Sequence, residues 1–266
     1  MQADLRLRFF KMGFTIEIPA APALVIEQLN KSGFQAYAVG GCVRDSLLGL
    51  KPNDWDVCTS AQPDEILACF TNQRTIPTGY QHGTVTVMID DLPIEVTTYR
   101  IDGSYTDGRH PDGVVFTPCL EEDLARRDFT VNAMAYHPRE GLVDCYNGCE
   151  DLKNKVLRCV GDPKKRFTED ALRILRAYRF ASQLGLSIEK NTEMAAEELI
   201  ANVSLVATER VYQEISKLIC GPWAGRVLAT YPTILKHVLP FWQSVPMDIL
   251  NKIDRLSKEV SFRFGI

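Results

Sequence analysis

The sequence has no apolar run approaching the roughly 20 residues that a bilayer-crossing helix needs, so no membrane span is expected. It also lacks a convincing secretion signal. The opening MQADLRLRFFKMGFTIEIP carries basic side chains but neither a long apolar core nor a small-residue cleavage site. Met12 offers a second candidate start, and the cytoplasm is the expected compartment. Zinc-type spacing is missing too. None of the 8 cysteines forms a CxxC pair, and Cys145 and Cys149 have no second pair or histidine couple nearby. Reduced, buried thiols are expected instead. There is no internal repeat and no low-complexity tract. Nor is there a surplus of positive charge: 30 basic against 34 acidic residues leave a formal net charge of −4, which argues against a chain coated for nucleic acid.

What basic charge there is lies unevenly. Residues 153–179 hold nine lysines and arginines against Asp162, Glu169 and Asp170. Such a stretch suits a site that meets phosphates, and equally suits a solvated, salt-bridged helix face. At 266 residues, with 45% hydrophobic content, the chain is long enough for two or three domains with sizeable cores.

The first half reads as mixed α/β. Residues 35–39 predict a strand running into Gly40-Gly41, then a short helix stopped near Gly49. Residues 54–58 alternate as a strand. Residues 84–89 and 94–99 alternate cleanly around a hairpin at Asp90-Asp91-Leu92-Pro93. Residues 102–113, rich in Gly, Asp and Pro, predict a mobile loop, and 133–137 and 142–146 are further strand candidates. From about residue 150 the character turns helical. Thr168 is the expected N-cap, with Glu169 and Asp170 in the first turn and Gly185 as the stop. Further helices are predicted at 192–201, 208–220 and 225–238.

Three elements carry candidate chemistry. In Asp54-Trp55-Asp56, strand alternation would put both carboxylates on one face, where they can share a hard cation such as Mg²⁺. By itself D-x-D is weak, because turns and solvated strand edges produce it often. Glu95, on the predicted strand 94–99, is a candidate third carboxylate, although an exposed strand glutamate has the same appearance. Gly40 and Gly41 let backbone approach an anion closely between strand and helix, and Arg44 adds charge. A tight strand-to-helix turn is the plainer explanation of that pair.

In this order the three elements resemble the nucleotidyltransferase superfamily that includes DNA polymerase beta. The segments Arg126-Arg127-Asp128-Phe129-Thr130-Val131-Asn132-Ala133, Gly161-Asp162-Pro163 and the stretch 166–180 are similar to bacterial-type (class II) CCA-adding enzymes and their poly(A) polymerase relatives. The segment from Ala207 to Glu214 resembles the family's later helical motif. The resemblance covers about residues 34–220. It implies α/β plus α architecture: a head with a mixed five-stranded sheet at 1–150, an all-helical neck at 151–225 for nucleobase recognition, and the start of a helical body at 226–266.

It also implies roles. Asp54 and Asp56, with Glu95, would hold two Mg²⁺ ions, one activating the RNA 3′-hydroxyl and the other neutralising the triphosphate. Gly40, Gly41 and Arg44 would hold the triphosphate. Arg127 and Asp128 would contact sugar and phosphate, supported by Asn132. Asp170 and Arg173, three apart on one helix, would read the amine-plus-acceptor edges shared by cytosine and adenine, with Arg176 and Arg179 reaching phosphates or bracing that pair. The activity implied is addition of CCA to tRNA from CTP and ATP. A CC-adding or A-adding specialist and a poly(A) polymerase remain alternatives, and a non-catalytic RNA- or nucleotide-binding module is the reading from a different class. The intact Arg100 to Gly103 and Asp107 to Pro111 favour full CCA addition, and no basic-aromatic insertion typical of poly(A) polymerases is present. Family members continue through body and tail domains, whereas this sequence ends at Ile266, so weak tRNA affinity is expected. A homo-oligomer is left open.

Overall fold

A computed structural model of the chain describes residues 9–10, 15–103, 113–239, 245–246, 248 and 252–255, and among the described residues ten strands and five α-helices precede residue 154. The strands are β1 (Phe9–Phe10), β2 (Ala36–Val39), β3 (Asp56–Thr59), β4 (Thr75–Gly79), β5 (Thr84–Ile89), β6 (Leu92–Thr98), β7 (Arg100–Asp102), β8 (Val114–Phe116), β9 (Met134–His137) and β10 (Gly141–Asp144). The helices are α1 (Ala20–Lys31), α2 (Gly41–Leu47), α3 (Pro63–Cys69), α4 (Leu120–Ala125) and α5 (Gly148–Lys153).

The main sheet has eight strands in the order β1-β10-β9-β2-β3-β6-β5-β4, not the five expected. The extra strands are short edge pieces that alternation over four to eight residues does not reveal, such as the two-residue β1 and the proline-bearing β4. The sheet is mixed as expected: β3 and β6 run parallel, while its other pairs are antiparallel. The predicted hairpin forms with a tighter turn. Asp90 and Asp91 both take positive φ, 48° and 63°, so Leu92 and Pro93 join the strand rather than the loop. β7 and β8 pair as a separate ribbon on either side of residues 104–112. The predicted loop thus starts later than residue 102, and its Asp107 to Pro111 portion lies outside the described residues.

Helices α1 and α3 pack over the central strands. Val25, Leu29 and Ile66 from the helices and Val57, Val85, Val87 and Val96 from the strands are fully buried. Each such side chain contributes about 1.5–3 kcal/mol on burial. This core fixes β3 and β6 side by side, and Asp56 and Glu95 ride on those strands.

The chain divides into two compact units that part between Glu150 and Asp151. The second comprises α6 (Pro163–Glu169), α7 (Leu172–Leu184), α8 (Lys190–Leu199), α9 (Thr208–Ile219), α10 (Ala224–Thr230), α11 (Pro232–His237) and a two-stranded parallel ribbon, β11 (Val156–Leu157) with β12 (Ser187–Ile188). α7 packs on α9, with Arg179 paired to Glu214 at 2.7 Å and the Ser182 hydroxyl donating to the Leu218 carbonyl. Gly185 ends α7 at φ 68°, and a β-carbon there would lie 2.7 Å from Trp223 Nε1. The single helix predicted over 225–238 is instead two. Pro232 disfavours helical backbone at Tyr231 (φ −120°, ψ 70°) and starts a new helix. All 8 cysteines are free, but only Cys42, Cys58 and Cys159 are buried. Cys119 is exposed and the other four half-buried, so the expectation of uniformly buried thiols is too strong. Among the described residues no helix is long and apolar enough to cross a membrane.

Candidate active site

Asp56 opens β3, and its Cα partner in the parallel strand β6 is Glu95. Asp54 lies two residues earlier, in irregular chain before the strand. Strand alternation therefore does not place Asp54, contrary to expectation, because β3 begins only at Asp56. The three carboxylates nevertheless share one field. Asp56 is pushed up to about 6, first by burial and then by the neighbouring charges of Asp54 and Glu95, with Arg127 opposing. Asp54 and Glu95 are exposed and Asp56 half-buried. Trp55 is half-buried, whereas Val57 sits fully in the core. Among the described residues no group of three or more histidine, cysteine or acidic side chains is gathered as a finished metal cage. Donors of this kind still fit Mg²⁺, which takes one or two carboxylates and completes its shell with water and phosphate. A half-buried carboxylate raised by its neighbours is the environment that a hard cation relieves.

The glycine turn stands next to this cluster in sequence and partners. Gly40 adopts φ 81°, and a β-carbon there would come within 3.0 Å of Arg127 Nη1, so backbone and guanidinium touch only because Gly40 has no side chain. Arg44 is buried; it donates from Nη1 to Asn132 Oδ1 at 2.6 Å and from Nε to Asp45 Oδ1 at 2.8 Å. Asn132 Nδ2 in turn donates to Asp128 Oδ1 at 3.0 Å, which also accepts the Phe129 N–H at 2.8 Å. Arg44, Asn132 and Asp128 are thus one buried network beside the turn rather than three separate contacts.

Sequence reasoning passed over Asp123. Its side chain is fully buried on α4; Oδ1 accepts from Arg126 Nε (2.9 Å) and Nη2 (2.8 Å), and Oδ2 from Arg127 Nη2 (3.2 Å). Burial raises the carboxyl, but the two guanidiniums outweigh it and hold it below the usual range. The signal was present as i, i+3 and i, i+4 spacing in Asp123-Leu124-Ala125-Arg126-Arg127.

The helical unit departs further from expectation. Thr168 does not cap a helix but lies inside α6, and the chain breaks at Asp170 (φ −144°, ψ 105°). Asp170 Oδ1 then accepts the Leu172 N–H at 3.0 Å and so starts α7. Asp170 and Arg173 therefore do not share one helix. Arg173 pairs with Glu169 (2.7 Å), which also binds Arg166 (2.5 Å), while Asp170 pairs with Arg210 from α9 (3.2 Å). Arg179 is buried and ion-paired with Glu214 at 2.7 Å, and its guanidinium stacks 4.1 Å from the Phe180 ring centroid. That makes it a brace between α7 and α9. Arg176 lies 5.3 Å from the same ring. Much of the basic stretch is internally paired, with Arg158 on Asp151 and Lys164 on Glu198 as well, so the salt-bridged description accounts for more of it than phosphate contact.

Comparison with known proteins shows the family. A family model described as the poly A polymerase head domain matches residues 36–158, and one described as a probable RNA and SrmB-binding site of polymerase A matches 185–244. A CCA-adding enzyme of Leuconostoc mesenteroides is 44% identical over 234 residues, covering 86% of this chain and 58% of that protein. One of Geobacillus thermodenitrificans is 47% identical over 207 residues, covering 77% and 50%. Among solved structures, a Bacillus stearothermophilus CCA-adding enzyme in complex with CTP superposes with a TM-score of 0.73 at 40% identity, over 82% of this chain and 51% of that one. A Thermotoga maritima CCA-adding enzyme complexed with tRNA-CCA gives 0.68 at 27% identity, over 83% and 52%. The chain spans about half the length of the curated relatives it matches, from 50% to 58% for these two.

Proposed function

The chain belongs to the bacterial-type (class II) tRNA nucleotidyltransferase and poly(A) polymerase family, and from that premise we propose that it adds CCA to tRNA 3′ ends from CTP and ATP, releasing pyrophosphate. The observation that carries this reading is the pairing of Asp56 with Glu95 across two parallel strands, with Asp54 in the same field and Arg127 at the Gly40 turn. A module that only binds RNA or nucleotide has no use for a half-buried aspartate held in the field of two further acids.

In this reading Asp54 and Asp56, with Glu95, hold Mg²⁺, which when bound supplies acidity at the RNA 3′-hydroxyl and charge neutralisation at the triphosphate. The turn at Gly40 and Gly41 and the guanidinium of Arg127 receive the phosphates. The network of Arg44, Asn132 and Asp128 keeps that turn rigid and presents the sugar's contacts. Asp170 and Arg173 read the base. Each is preset by its own partner, Arg210 for Asp170 and Glu169 for Arg173, so a carboxylate acceptor and a guanidinium donor are held in place. Cytosine and adenine satisfy that pair, whereas guanine and uracil leave polar groups unmatched at about 1–3 kcal/mol each. Arg176 and Arg179 support the reading surface, Arg179 through its ion pair with Glu214. The domain division that goes with this is a catalytic head at 1–150, a base-reading neck at 151–225 and the start of a body from 226. The compartment implied is the cytoplasm, where the tRNA substrate is matured.

The test is incubation with tRNA lacking its terminal CCA, Mg²⁺ and labelled nucleotides. CTP incorporation followed by ATP supports full CCA addition. CTP alone, or ATP alone as a single residue, supports a specialist; ATP-only runs support poly(A) synthesis. No incorporation of any nucleotide overturns the enzymatic reading.

A further inference from the structure

We propose that Asp123 is a positioning residue for nucleotide binding, holding the Arg127 guanidinium at the Gly40 turn. The proposal rests on the function given above. Asp123 is wholly buried, and its two oxygens are divided between two arginines, Oδ1 to Arg126 and Oδ2 to Arg127. Oδ1 also accepts the Arg100 N–H at 3.4 Å. A buried charge of this kind persists only where its partners are fixed, so the clamp sets the direction of both guanidiniums.

For Arg127 that direction is decisive. Its Nη2 is held by Asp123 at 3.2 Å, its Nη1 faces Gly40, and its Nε is buried without a hydrogen-bond partner among the described residues. One carboxylate therefore holds a guanidinium with donors to spare. With the Asp123 charge removed, the Arg127 guanidinium loses the anchor at its Nη2 and is no longer aimed at the glycine turn. Asp123 thereby keeps the guanidinium in place for the incoming phosphates. A merely structural Asp123, closing α4 and bracing Arg100, would lower the amount of folded protein without selecting one kinetic constant.

The two roles separate in the steady-state kinetics of CTP addition to tRNA lacking CCA, measured on the full chain. Asp123→Asn should raise KM for CTP about tenfold or more while kcat stays within about threefold. Arg127→Ala should raise KM similarly, and the double variant should be no worse than Arg127→Ala alone, because Asp123 acts through Arg127. If Asp123→Asn does not fold by thermal melt, Asp123→Asn with Arg126→Gln removes one cation along with the anion and reads the same constant. An unchanged KM, a loss confined to kcat, or effects that multiply in the double variant overturn the inference. A parent chain that adds no nucleotide overturns the proposed function, and this inference with it; an active parent whose Asp123 variants keep the parental KM overturns this inference alone.

Discussion

Replacing Asp56 by asparagine should make the metal-free protein more stable while destroying its activity. Asp56 is raised from an ordinary 3.8 to about 6, roughly 2 units, and each unit corresponds to about 1.4 kcal/mol. The charged carboxylate therefore costs the native state about 3 kcal/mol at most above pH 7, and about 1–2 kcal/mol once water reaching a half-buried group is allowed for. Because the native carboxyl binds its proton more tightly than the unfolded one, its favourable contribution is complete below pH 3.8. That contribution is lost as pH rises through about 6. Urea unfolding of both proteins in EDTA should thus show Asp56→Asn ahead of the parent at pH 8, with a gap about half as large at pH 5. Adding Mg²⁺ should raise the parent's midpoint and leave the variant's almost unmoved, by mass action on the folded state. An asparagine variant that is less stable at pH 8, or a gap that does not change with pH, refutes the idea that Asp56 is held against neighbouring charge for the sake of a cation.

Asp54→Ala should lower nucleotide incorporation about a thousandfold or more, since a metal's charge stabilisation is worth several kcal/mol; Asp54 is exposed, so the melting temperature should move little. Arg173→Ala should relax the choice of nucleotide, and Glu169→Gln should do so more weakly by freeing Arg173; retained discrimination against GTP and UTP would sink the reading role. Gly40→Ala meets both a φ of 81° and Arg127, and should cost about 1–3 kcal/mol in urea unfolding along with a higher KM for CTP. Glu214→Ala removes the carboxylate that pairs with buried Arg179 and should destabilise the protein by about 3–5 kcal/mol; a change below about 1 kcal/mol would show the pair to be a surface contact.

The sequence disclosed the first unit more fully than the second, for physical reasons. Alternation in 84–89 and 94–99 and the glycine pair after 35–39 are local signals, and each produced the predicted element within a few residues. Edge strands β1 and β4 leave no such signal, because two residues have no period and proline masks a strand. In the second unit, Thr168-Glu169-Asp170 has the composition of a helix start. The helix that starts there is α7, however, and it is capped from Asp170 itself, since the preceding turns are already occupied by α6. Pairings such as Asp170 with Arg210 and Arg179 with Glu214 join residues far apart in the chain, which spacing alone does not disclose. Asp123 was within reach of local reasoning and was hidden only by standing beside the more conspicuous arginines.

The parallel register of β3 and β6 bears on how the molecule comes into being. Two parallel strands cannot be joined by a tight turn, so α3, β4 and β5 must all be laid down before Glu95 can stand beside Asp56. No fragment ending before β6 carries the complete acidic set. Under the proposed function, a chain emerging from the ribosome therefore gains its full acidic set only when that crossover closes.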